Sequence, residues 1–84
     1  SNHVFAWYNQ GYIKLELEDN PEAAIQYFEK TIEIQPEYVE AHYNLGLSKE
    51  RAGQLNEAIQ HFRQALEVDP QYDPAALALE RLLD

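Results

Sequence analysis

Val39-Glu40-Ala41-His42-Tyr43-Asn44-Leu45-Gly46-Leu47-Ser48-Lys49 restates Val4-Phe5-Ala6-Trp7-Tyr8-Asn9-Gln10-Gly11-Tyr12-Ile13-Lys14, which lies 35 residues earlier. Further along, the echo has a spacing of 34: Ala24-Ile25-Gln26-Tyr27-Phe28 against Ala58-Ile59-Gln60-His61-Phe62, and Pro36 and Tyr38 against Pro70 and Tyr72. A period of this length marks one supersecondary unit that buries its apolar face only by stacking on a neighbour. Such arrays mostly present a surface, so the repeat favours binding over chemistry.

Working outward, the punctuation divides the chain into five helical segments. The first spans about Val4 to Glu18. Asn20 and Pro21 then supply an N-cap and an N1 proline for the second, which Pro36 stops near Gln35. The third runs from Tyr38 to Ala52, with Gly53 as a left-handed C′ residue. The fourth covers Leu55 to Val68 and places Ala58, Ile59, Phe62, Ala65 and Leu66 on one face, at helical spacing. Asp73-Pro74 repeats the N-cap and N1 signature before a fifth, Pro74 to Leu83. No segment alternates with period two, so the fold is expected to be all-α.

This pattern resembles the tetratricopeptide repeat family. Leu45-Gly46, Ala58, Phe62, Ala65 and Pro70 fall in the family's register, as do Trp7, Gly11, Ala24, Phe28 and Pro36. Gln10 departs from it, standing where the family has leucine. One extra residue between Gly11 and Ala24 is expected to be absorbed in the loop Glu18-Asp19-Asn20. The resemblance implies an α-solenoid with a right-handed superhelical stack: repeat one over 4–38, repeat two over 39–72 and a capping helix over 73–84. Residues 4–84 would form a single domain, and 1–3 a cloning scar or disordered start. Packing explains the matches. Gly11 and Gly46 would let paired helices approach where a Cβ would hold them apart, facing Ala24 and Ala58. In the fifth helix Leu79 keeps the leucine position, but Glu80 occupies the glycine position.

Composition narrows the function. The 84 residues allow one modest core that buries about 60–65% of the unfolded surface. Apolar content of 45% and charged content of 25% fit a folded chain. There is no cysteine, hence no disulfide or thiol chemistry, which fits a reducing compartment, and a cytoplasmic location is expected. No stretch approaches the ~18 apolar residues of a membrane span. Methionine is also absent, and Ser1-Asn2 reads as a tag remnant, so the natural protein is expected to be longer. A net charge of −9 argues against nucleic acid and anionic membranes as partners and for a basic one.

Candidate chemistry is thin. His61 and Glu57 are spaced i,i+4, but two ligands make no metal site without a third. Ser48 has no evident base. The carboxylates Glu16, Glu18 and Asp19 lack the glycine and the alternation of a calcium loop. No enzyme activity, cofactor or metal is expected.

The resemblance instead implies a concave groove lined by the first helix of each repeat. By that resemblance Phe5, Tyr8, Asn9, Tyr12, Leu15 and Glu16 point into it from repeat one. Repeat two adds Glu40, Tyr43, Asn44, Leu47, Glu50 and Arg51, and the cap adds Leu77 and Arg81. Tyr8/Tyr12 and Tyr43/Leu47 are i,i+4 pairs, each forming one stripe. Tyr8, Asn9, Tyr12, Tyr43, Asn44, Leu47 and Arg51 are the expected peptide-binding residues. Asparagine has donors and an acceptor for an extended peptide backbone, and tyrosine adds apolar area at low entropic cost. The Tyr-Asn pair has an equal claim as packing, its tyrosines wedged between adjacent helices. Relatives that clamp acidic chaperone tails use basic groove residues; Tyr8, Tyr12, Tyr43 and Leu47 stand there instead, so such tails are not expected to bind. The expected partner is a protein or peptide, apolar or mildly basic. The alternatives are self-association through the exposed flank of Val4, Phe5 and Trp7, or a regulatory fragment of a larger enzyme.

Overall fold

The computed structural model describes residues 3–84; the tag remnant expected at Ser1-Asn2 lies outside them. Five α-helices follow one another: α1 (Val4–Tyr12), α2 (Pro21–Ile34), α3 (Val39–Arg51), α4 (Leu55–Val68) and α5 (Asp73–Leu83). A π-helical turn, Ile13–Leu17, extends α1. No strand occurs among the described residues, and the architecture is an all-α helical-repeat solenoid. Each helix packs against the next in the chain, so α1 and α2 form one hairpin and α3 and α4 the other.

Local chemistry sets most boundaries. Asn20 Oδ1 accepts from the Ala23 amide at 3.2 Å, with Pro21 opening α2. Gly53 leaves α3 with φ +84°, the left-handed region in which glycine has no Cβ penalty. The start of α5 differs from the sequence expectation. Tyr72 is its N-cap and Asp73 lies in the first turn, where a carboxylate still favours the positive helix end.

The extra residue of repeat one is also not in the loop. Asp19, with φ 50°, takes the left-handed place of Gly53, and Asn20 and Pro21 align with Gln54 and Leu55. Five residues lie between Gly46 and Ala52, but six between Gly11 and Glu18. The insertion therefore lies within the helix, as the π turn, where the Glu18 amide bonds Ile13 O at 3.0 Å.

The core is built twice. An ideal Cβ on Gly11 would stand 2.7 Å from Phe28 Cε1, and one on Gly46 2.6 Å from Phe62 Cε1. Each glycine thus seats the phenylalanine of its partner helix, and both rings are fully buried. Phe28 gathers Leu15, Ala24 and Leu45, and Phe62 gathers Ala58, Ala65, Ala75 and Ala78. Leu47 packs against both clusters. His42 is buried, with Nε2 donating to Pro36 O at 2.8 Å. The acceptor is a carbonyl, so Nε2 carries the proton, and the buried Nδ1 has no hydrogen-bond partner among the described residues.

Candidate functional site: the face of the leading helices

Ion pairs between helices place α1, α3 and α5 side by side. Arg51 reaches back to the π turn, donating to Glu16 Oε2 at 3.2 Å and to Leu15 O at 3.4 Å. Arg81 of α5 reaches Glu50 of α3, its Nη2 3.0 Å from Oε1. That contact holds the Glu50 carboxyl below its ordinary pKa.

Both pairs lie at the C-terminal ends of these helices, and toward their N-terminal ends follows a field of aromatic and aliphatic side chains. Tyr8 stacks on Tyr38 with centroids 4.9 Å apart and leans on Phe28 at 5.6 Å. Tyr43 has the equivalent partners Phe62 and Tyr72, both at 5.7 Å, but meets Tyr72 edge-on. The tyrosines are therefore wedged between helices, half-buried, as the packing alternative requires. Around them Phe5, Tyr12 and Leu77 stand open, 66%, 47% and 63% exposed. Scattered exposed apolar residues are ordinary, but an aromatic group on one face marks a candidate interaction surface.

The two asparagines differ. Asn44 is 6% exposed, and its Nδ2 donates to Tyr8 OH at 2.8 Å and to Glu40 O at 3.0 Å. Both amide hydrogens are spent inside the fold, tying repeat two to the tyrosine of repeat one. Asn9 is exposed on α1. Burial, and then the neighbouring Tyr38 and Glu40, push the Tyr8 hydroxyl up to about 12, so it stays protonated as Asn44's acceptor. No sequence periodicity could reveal that bond, since its partners lie 36 residues apart. Arg51 is exposed but engaged by Glu16, and Leu47 is half-buried between the two core clusters.

The groups weighed for chemistry are employed structurally. Glu57 pairs with Lys49 at 2.8 Å, and His61 Nδ1 lies 3.1 Å from Gln64 Oε1. Ser48 Oγ donates to Asn44 O at 2.8 Å within the helix. Among the described residues no three His, Cys, Asp or Glu side chains gather as a metal site. No helix of the described residues is long and apolar enough to cross a membrane.

The flank expected to be exposed on α1 is only partly so. Val4 is buried, whereas Phe5 is open and Trp7 half-buried against Tyr27, with Lys30 Nζ 5.8 Å from its ring. His3, Ala6, Trp7, Gln10 and Tyr27 line an apolar cavity of about 300 Å³ there.

Two family models, both described as tetratricopeptide repeat, match this chain, one over residues 39–72 and the other over 6–38. No curated protein matches it.

Proposed function

Since the chain belongs to the tetratricopeptide repeat family, whose repeats generally serve as protein–protein interaction modules and are typically non-catalytic scaffolds, we propose that the face of α1, α3 and α5 binds a peptide or helix. The observation that carries this reading is the aromatic and aliphatic field of α1, α3 and α5, closed at the C-terminal ends of these helices by two inter-helix ion pairs. Phe5, Tyr12 and Leu77 supply open apolar area, Tyr8, Tyr43 and Leu47 the floor, and Asn9 and Arg51 the polar margin. Asn44 acts from beneath as a positioning residue, holding Tyr8. The ligand is apolar or mildly basic, because acidic tails would meet a chain of net charge −9.

The test uses peptides selected from a randomised display library on the intact domain. Tyr12→Ala and Leu77→Ala should each weaken binding by about 1–2 kcal/mol with an unchanged thermal midpoint, as exposed contact residues do. Unaltered affinity in both variants would refute the groove.

A second reading, self-association through the α1 flank, has its own support. Ala41 and Leu45, the counterparts of Ala6 and Gln10, are buried in repeat two, where α2 packs on α3. The first repeat leaves that patch open. Sedimentation should then show mass rising with concentration, and Trp7→Glu should abolish the rise. A single monomeric species at the highest soluble concentration would exclude it.

A further inference from the structure

One end of the proposed groove has a cavity of about 260 Å³ where the first turn of α1 meets the α2–α3 loop. Its lining is Phe5, Gln35, Glu37, Tyr38, Val39 and Glu40. The walls are aromatic: Phe5 meets Tyr38 edge-on, with centroids 6.1 Å apart. The rest of the lining is Val39, the amide of Gln35 and two carboxylates, Glu37 and Glu40. Acidic groups elsewhere on this face are neutralised, Glu16 by Arg51 and Glu50 by Arg81. Neither Glu37 nor Glu40 has an ion-pair partner among the described residues. Glu40 lies in the first turn of α3 and offsets that helix's positive end, so Glu37 leaves the cavity negative. Burial raises the Tyr8, Tyr38 and Tyr72 hydroxyls, and the field of Glu40 adds to the rise in all three, so its charge lies near the aromatic group.

We propose that this cavity is a subsite for an arginine side chain of the partner peptide. A guanidinium is planar, so it stacks on an aromatic wall while its fork of donors meets carboxylates. An ammonium makes the second contact but not the first, so lysine ranks below arginine. An acidic side chain is excluded by both glutamates and an aliphatic one would leave them desolvated. The subsite rests on the groove reading, and it fixes the polarity of the ligand: its basic residue lies beside the first turn of α1, its apolar residues toward Tyr12, Leu47 and Leu77.

The experiment has two arms, both on the intact domain. The isotope-labelled protein is titrated with N-acetyl-arginine amide, and backbone amide shifts are followed. Saturable shifts are expected at residues 5, 35 and 37–40, weakened at least about fivefold in Glu37→Gln/Glu40→Gln, as loss of charge-assisted contacts implies. N-acetyl-glutamine amide should leave those signals in place. Equal shifts with the neutral amide, or an undiminished response in the double variant, would overturn the subsite. In the second arm the display-selected peptides are tested on Tyr12→Ala and on Glu37→Gln/Glu40→Gln separately. Basic peptides weakened by both sets uphold the subsite. Peptides that lose affinity on Tyr12→Ala but not on the double variant leave the groove standing and remove the subsite. Arginine-amide shifts at the cavity with peptides indifferent to both Tyr12→Ala and Leu77→Ala uphold the subsite and remove the groove.

Discussion

Gly46 has the space of no other residue. A methyl group there would press on the ring of Phe62, which is fully buried and has nowhere to turn. Gly46→Ala should therefore cost about 1–3 kcal/mol despite alanine's better helix propensity, measurable by urea denaturation. An unchanged midpoint would mean that the ring moves aside. His61 makes a different prediction. Burial lowers its pKa in the fold, with the Gln64 contact opposing the shift. The unfolded chain, near the ordinary value of about 6.5, therefore takes up the proton first. Stability is complete above that value and falls as pH drops through it toward the folded pKa. His61→Gln should flatten the loss between about pH 7.5 and pH 5.5, read from denaturation midpoints at each pH. The Asn44–Tyr8 bond can be isolated by a double-mutant cycle. Asn44→Ala and Tyr8→Phe should be coupled by about 1 kcal/mol, and additive costs would deny the bond its role.

At the scale of elements, the π turn matters most. The extra residue carries Leu15 inward beside Phe28, while the carbonyl of Leu15 and the carboxylate of Glu16 meet Arg51. Deleting the exposed Leu17 would restore a regular helix and the 34-residue period, and withdraw these contacts. The melting temperature should fall by about 4–8 °C for each kcal/mol lost; no fall in thermal circular dichroism would make the turn a passive insertion. The five helices and the close approach at Gly11 and Gly46 were legible in the sequence because a duplicated pattern states each register twice. The ring that each glycine seats was not: the expected facing residues were Ala24 and Ala58, and the structure puts Phe28 and Phe62 there. Nor was the π turn. An added residue shifts the count equally wherever it sits, and Asp19-Asn20 offered a more obvious place. The Val4 side chain was misplaced for a related reason: a β-branched residue in the first turn of a leading helix reads as flank, and only packing shows it turned inward.

For the whole molecule, what remained illegible was the fate of polar groups. Asn9 and Asn44 occupy one repeat position, yet Asn44 is buried and holds Tyr8 of the other repeat while Asn9 is exposed, so identical residues have different surroundings. The charge of −9 also acts at this scale. Moderate salt should raise stability slightly by screening self-repulsion, while weakening any basic peptide bound to the groove. Opposite slopes of the two quantities against ionic strength, from parallel denaturation and binding titrations, are the expected signature.

Glu80 has a consequence for anyone wishing to lengthen this solenoid by design. In α5 it stands where α1 and α3 have the bare backbone of Gly11 and Gly46. A grafted helix bearing phenylalanine in the α2 or α4 register would drive its ring into a charged side chain. Joining copies end to end thus demands Glu80→Gly first, and with that one exchange the terminal helix becomes a splice point.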